Sequence, residues 1–232
     1  MGVAQEGGDM QAQILYAYQS EDTNQLASLV LTLANQVTTA TAGGADASLR
    51  YHLAHAEYRF GLLAKGKRAA EAAPAFAQCV EQLKTILQQH VKSVEALVLQ
   101  SACYEELAGR RRLEAVLLRS KAEERLNAAF KLEPRNPRVL YFLAENSRSK
   151  PGSPERARAF AELQESAAIF DQSSATRNDV PGWGHAEAYL ALGMELQSRG
   201  DKLGARNWIE KSLIVAPDYK AAQRQMSSLV RR

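Results

Sequence analysis

Apolar residues recur along nearly the whole chain at spacings of three and four, the signature of helices with one buried face. The pattern predicts a first helix pair over 10–18 and 23–37. Leu26, Leu29, Val30 and Leu33 form an inner stripe, and Ser20, Glu21 and Asp22 supply caps between the two helices. Residues 1–9, polar and small, read as a disordered lead. A small polar loop over 38–44 precedes a helix over 46–64, with Leu49, Leu53, Ala56, Phe60 and Leu63 facing inward. After Lys65-Gly66-Lys67 a long helix runs to about His90 on the face of Phe76, Val80, Leu83 and Leu87. Pro74 is expected to kink it or to move its start later.

A third pair begins at Val94, breaks after Leu107-Ala108-Gly109 and resumes to about Leu132, with Ala122, Leu126 and Ala129 inside. The segment 110–120 is long for a turn, so one or both helices should extend into it. In the fourth pair Leu140, Leu143 and Ala144 are followed by Ser153-Pro154, an N-cap with proline in the first helical position. Ala159, Leu163 and Ser166 then repeat the inner face. Residues 171–184 read as a non-helical insert, and 219–229 as a closing helix.

The stretch from Ala186 to Asp218 carries the most specific signal. It reads Tyr189-x2-Leu192-Gly193-x2-Leu196, then Gly200-Asp201, Ala205-x3-Ile209 and Pro217. This resembles the tetratricopeptide repeat, whose W-x2-L-G-x2-Y, A-x3-F and P positions recur with a period of about 34 residues. Each position has a physical task. Gly193 lets the partner helix approach, and Gly200 ends the first helix in a left-handed conformation. Ala205 sits at the helix crossing, Ile209 fills the core and Pro217 stops the second helix. The expected fold is all-α: a right-handed tetratricopeptide superhelix, or α-solenoid, of about five helix pairs plus a C-terminal capping helix. It would form one domain over 10–232, clearest at 186–219 and capped by 219–231.

Further phrases extend the resemblance across about 50–222: 50–59 (RYHLAHAEYR), 94–97 (VEAL), 131–140 (KLEPRNPRVL) and 181–189 (PGWGHAEAY). Together they are similar to a family of bacterial tetratricopeptide proteins that usually carry signal peptides. The first residues hold no apolar signal core, yet small residues like these also flank signal cleavage sites. The resemblance therefore implies an exported, periplasmic protein in preference to a cytoplasmic one.

Composition narrows the function classes. No apolar run approaches the roughly 18–20 residues that span a bilayer. A net charge of +3 is too small to imply a polyanionic partner by itself. His52 and His55 share a metal-compatible spacing but lack a third ligand nearby and read as polar positions on a helix face. No grouping of nucleophile, base and orienting residue stands out, so no catalytic residue, metal or cofactor is expected. Arginines and lysines outnumber acids over 110–138, which admits an anionic partner such as RNA or lipid headgroups. Interleaved glutamates, with Phe130 the single aromatic residue available for base stacking, favour a solvated face, and nucleic acid is disfavoured. Cys79 and Cys103 stand equally far from the turn near Val91 on opposite helices. They read first as small buried hydrophobes. A disulfide would need Cα atoms within about 7 Å and an exported protein.

The face formed by the first helix of each pair is the expected partner site. Its register places Glu95, Val98, Leu99 and Ala102 there, then Arg138, Tyr141, Phe142 and Glu145, then Glu187, Leu190, Ala191 and Met194. Apolar residues with charges at the margins suit an extended peptide or an amphipathic helix. The clamp by which some tetratricopeptide co-chaperones hold a C-terminal carboxylate needs Lys, Arg and Asn on this face, and most of those residues are missing here. The expected function is a non-enzymatic protein-interaction scaffold. Self-association through the same face, giving a homo-oligomer, is the alternative; anion binding through 110–138 is a weaker one.

Overall fold

A computed structural model describes residues 3–40, 46–66, 68–147, 153–173 and 182–230, with side chains from Met10 to Leu229. The loop expected over 38–44, the turn at 149–152 and most of the insert expected over 171–184 fall largely or wholly outside the described residues. The described residues form eleven α-helices and one 3-10 turn, with no strand. They divide into two compact units, Met1–Leu132 and Glu133–Arg232.

The first unit contains α1 (Val3–Gln19), α2 (Thr23–Ala40), α3 (Ala47–Leu63), α4 (Ala69–Gln89), α5 (Val94–Ala108) and α6 (Ala115–Leu132), with a 3-10 turn at Arg112–Glu114. Local chemistry sets these boundaries. The Gln25 N–H donates to Asp22 Oδ1 (2.9 Å) at the start of α2, and the Ser48 N–H donates to Asp46 Oδ1 (3.2 Å) at the start of α3. Helix α1 starts earlier than its apolar pattern, at Val3. Pro74 lies in the second turn of α4 and does not displace its start.

Within this unit α3 packs on α1, α2 and α4, while α5 packs on α4 and α6. Every residue of α3 from Leu53 to Gly61 is buried, so this helix is enclosed on all sides. The stripes of Leu26, Leu29 and Leu33, of Phe76, Val80, Leu83 and Leu87, and of Ala122, Leu126 and Ala129 all lie in the core.

Cys79 of α4 and Cys103 of α5 are joined by a disulfide, with Cα atoms 6.4 Å apart, and both residues are fully buried. This corrects the reading of two free thiols. That reading used the spacing of helix axes, about 8–10 Å. Two Cα atoms on facing sides of their helices each stand about 2.3 Å off the axis, which brings them within bonding range.

The second unit contains α7 (Pro137–Ser147), α8 (Pro154–Ser173), α9 (His185–Ser198), α10 (Lys202–Val215) and α11 (Lys220–Val230). Asn136 and Ser153 cap helices that open on proline: Asn136 Oδ1 accepts the Arg138 N–H (3.0 Å) and Ser153 Oγ accepts the Arg156 N–H (3.2 Å). The core gathers Ala144, Leu163, Phe170, Tyr189 and Leu192 from α7, α8 and α9. The repeat positions act as their spacing predicts. A Cβ on Gly193 would lie 2.7 Å from Ile209 Cγ1 and 3.0 Å from the Ala205 carbonyl oxygen, so only glycine lets α10 come this close. Gly200 closes α9 at φ +87°.

Three helix pairs share a buried serine bond that periodicity does not reveal. Ser101 Oγ donates to the Ala122 carbonyl (2.7 Å), Ser166 Oγ to Pro137 (2.7 Å) and Ser212 Oγ to Ala186 (2.8 Å). Each ties one helix of a pair to a backbone carbonyl of its mate.

Candidate partner-binding face

In the first unit, Val98 and Leu99 are completely buried and Ala102 nearly so. The whole run from Ala96 to Cys103 on α5 is enclosed. Leu99 and Val98 therefore serve packing rather than an open surface.

In the second unit the named residues separate into two groups. Arg138, Phe142, Glu187 and Leu190 are buried, together with Ala191. Tyr141, Glu145 and Met194 are half-buried. The buried charges have structural partners. Arg138 Nε donates to the Trp183 carbonyl (2.9 Å), and its guanidinium carbon lies 5.2 Å from the Trp183 ring centre and 5.6 Å from that of Phe170. Phe142 meets the Trp183 ring at 6.0 Å. Gly184, at φ +94°, donates its N–H to Glu187 Oε2 (3.1 Å) and so caps α9. Arg138 and Glu187 thus fasten the turn that leads into α9. The repeat register does not show this, because the fastening depends on Trp183 folding back onto α7.

Beside this turn His185 stacks on Phe170 (5.0 Å) and meets the edge of Tyr189 (4.6 Å). The Tyr189 hydroxyl donates to Asp171 Oδ1, and Lys211 Nζ donates to Asp171 Oδ2 (2.7 Å). Burial and the bond to Asp171 raise the Tyr189 phenol above its usual range. Burial lowers the His185 imidazole, against the pull of the Asp171 carboxylate. The group anchors the end of α8 to α9 and α10.

The two histidines of α3 take separate roles. His55 is fully buried and accepts the Arg59 Nε–H (3.0 Å). His52 is half-buried, lies 3.4 Å from Ser48 Oγ, and has its pKa lowered by burial. Among the described residues no group of three or more His, Cys, Asp or Glu is placed to hold a metal ion. No helix among them is long and apolar enough to cross a membrane. In the basic stretch, Arg110 pairs with Glu106 (2.8 Å), Arg111 with Glu114 (3.5 Å), Arg119 with Glu105 (3.4 Å) and Arg135 with Glu165 (3.2 Å).

No protein-family model and no curated protein sequence matches the chain. Among solved structures it is similar to a thermophilic TPR protein of Thermus thermophilus. That match has a TM-score of 0.58 and 17% identity, and covers 99% of this chain and 100% of that one. The fold is that of the tetratricopeptide repeat. The helix pairs α1–α2, α3–α4, α5–α6, α7–α8 and α9–α10 are the five expected repeats, and α11 is the cap that a terminal repeat needs. Tyr141, Glu145 and Met194 all belong to the first helices of their repeats.

Proposed function

We propose that the protein is a non-enzymatic scaffold that holds a peptide or helix of a protein partner against α7 and α9. The observation that carries this reading is the partial exposure of Tyr141 and Met194. They are apolar side chains left incompletely covered on first helices, as are Leu143 and Leu196 on the same two helices. A partner covering them would gain apolar burial at about 25 cal/mol per Å². The fold supports a protein partner, since stacked helix pairs create extended surfaces rather than deep catalytic cavities.

The proposed setting is the bacterial envelope. The Cys79–Cys103 bond supports it, because structural disulfides form and persist in oxidising compartments. A photo-cross-linking residue at position 194, compared with one at exposed Asn207 on α10, tests the binding reading in whole-cell extract. A protein trapped from 194 and not from 207, and lost when Tyr141→Glu is added to a folded chain, is the expected result. Equal trapping from both positions overturns it, and trapping of the chain's own copies alone replaces it with self-assembly.

A further inference from the structure

The turn between α5 and α6 is the most exposed apolar feature of the first unit. Leu113 is fully exposed, Val116 84% and Leu117 58%. Their spacing of three and four places them on one side of the 3-10 turn and the first turn of α6. Helix α6 contributes its first buried side chain only at Leu118, so these three residues stand ahead of the core. Side chains at this exposure form a tip and line no groove.

Cations modestly outnumber acids around the tip, where Glu105 and Glu106 at the end of α5 pair with two of the arginines. Residues 110–121 contain five basic residues, Arg110, Arg111, Arg112, Arg119 and Lys121, against one acid, Glu114. Among the described residues Arg110, Arg111 and Arg119 each have a carboxylate partner, whereas Arg112 and Lys121 have none. Arg112 adjoins Leu113 directly and is exposed.

We infer that this turn docks on an anionic lipid bilayer, with Leu113, Val116 and Leu117 entering the headgroup–acyl boundary and the flanking cations meeting lipid phosphates. Apolar tips ringed by Lys and Arg bind such surfaces by shallow burial plus attraction to negative headgroups, without any spanning segment. A second copy of the chain is a poor occupant, because a two-fold contact would set the same cations against each other. A pocketed protein partner would have to accept three apolar side chains and also meet the charge of Arg112. A bilayer does both with no shape match. This inference is independent of what α7 and α9 hold.

The test is co-sedimentation of the full chain with phosphatidylcholine vesicles, with or without about 30% phosphatidylglycerol, at low and high salt. The expected result is binding to anionic vesicles only, weakened by salt. The combined Leu113→Ser, Val116→Ser, Leu117→Ser variant should bind at least tenfold more weakly at unchanged circular dichroism. Arg112→Glu should weaken binding severalfold at low salt, and Leu203→Ser with Ile214→Ser, exposed apolar residues of the second unit, should change nothing. No sedimentation with anionic vesicles overturns the inference. So does equal binding to neutral vesicles, or equal loss in the Leu203, Ile214 control. Loss of a dimer or of a captured protein in the triple variant, with no vesicle binding by the wild type, assigns the tip to a protein contact and also overturns it.

Discussion

The two units use the same helix pairs and treat a buried acid in opposite ways. In the first, Glu57 on α3 is 5% exposed, and burial pushes its carboxyl up to about 8. Its Oε2 accepts no hydrogen bond from the described residues. Arg59, two positions along the same helix, donates to His55 and lies over the Tyr18 ring at 4.3 Å. In the second unit, Glu195 on α9 is 2% exposed, and there burial also favours the neutral form. Arg156 answers it with two N–H bonds to the carboxylate (2.9 and 3.0 Å), and Arg199 adds a third (2.9 Å). Together these outweigh burial and hold the carboxyl below its usual range. An enclosed helix can therefore keep an acid by leaving it protonated or by pairing it. The choice fixes the sign of the pH dependence.

For Glu57 the folded pKa lies above the unfolded value of 4.5, so unfolding releases a proton at intermediate pH. Its contribution to stability is intact below about 4.5, falls as pH rises and is lost by about 8. Glu195, depressed in the folded state, contributes above its unfolded value and loses that contribution on acidification. Both tryptophans, Trp183 and Trp208, lie in the second unit, so their emission follows that unit while amide exchange follows either.

The largest expected effect is that of pH on the first unit. A shift from 4.5 to about 8 corresponds to a loss on the order of 5 kcal/mol, at about 1.4 kcal/mol per unit. Exchange protection of α3 amides, corrected for intrinsic rates, should fall over that window, and Glu57→Gln should flatten the slope. A slope of equal size in the variant would remove Glu57 from the account.

Next comes the disulfide, which joins residues 24 apart in sequence and should contribute about 3 kcal/mol by restricting the unfolded chain. Replacing Cys79 and Cys103 together with Ala should lower the urea midpoint of the first unit seen by circular dichroism. The tryptophan midpoint should stay in place; if it moves equally, the two units unfold as one. Third, Arg156→Ala removes two of the three bonds to Glu195 and leaves Arg199 as its remaining cation. Because Arg156 reaches solvent, the loss should be smaller than that of the disulfide. It should appear in the tryptophan midpoint and shrink toward acid pH, where Glu195 protonates.

Helix positions, caps and repeat glycines were legible in the sequence because each depends on neighbours within one helix pair. Gly193, Ala205 and Ile209 are such residues, and so is the Ser153-Pro154 start. The roles of Arg138 and Glu187 were not legible, because a residue near the end of an insert, Trp183, supplies the contact. The carbonyl that Arg138 donates to lies 45 positions away in sequence. The burial of Val98 and Leu99 was equally hidden: an apolar residue at a groove position and one at a packed position look alike in a sequence. The disulfide needed a distance between facing Cα atoms that the spacing of helix axes overestimates.

The smallest effect concerns the turn between α9 and α10, and it separates backbone strain from packing. Gly200 sits at φ +87°, and a Cβ there would meet no atom within 4 Å. Gly200→Ala should therefore cost only the left-handed conformation, about 1 kcal/mol, read as a small drop in the tryptophan midpoint with no change in the first unit. Asn tolerates this conformation better than Ala, so Gly200→Asn should recover part of the loss. Equal losses for Ala and Asn would mean that the turn resists any side chain, and conformational strain would no longer explain the glycine. A loss well above about 1 kcal/mol in the Ala variant would mean that the helix end moves when α9 can no longer close in the left-handed region. The Asp201 cap of α10, where Asp201 Oδ1 accepts the Gly204 N–H at 2.8 Å, would then be disturbed with it.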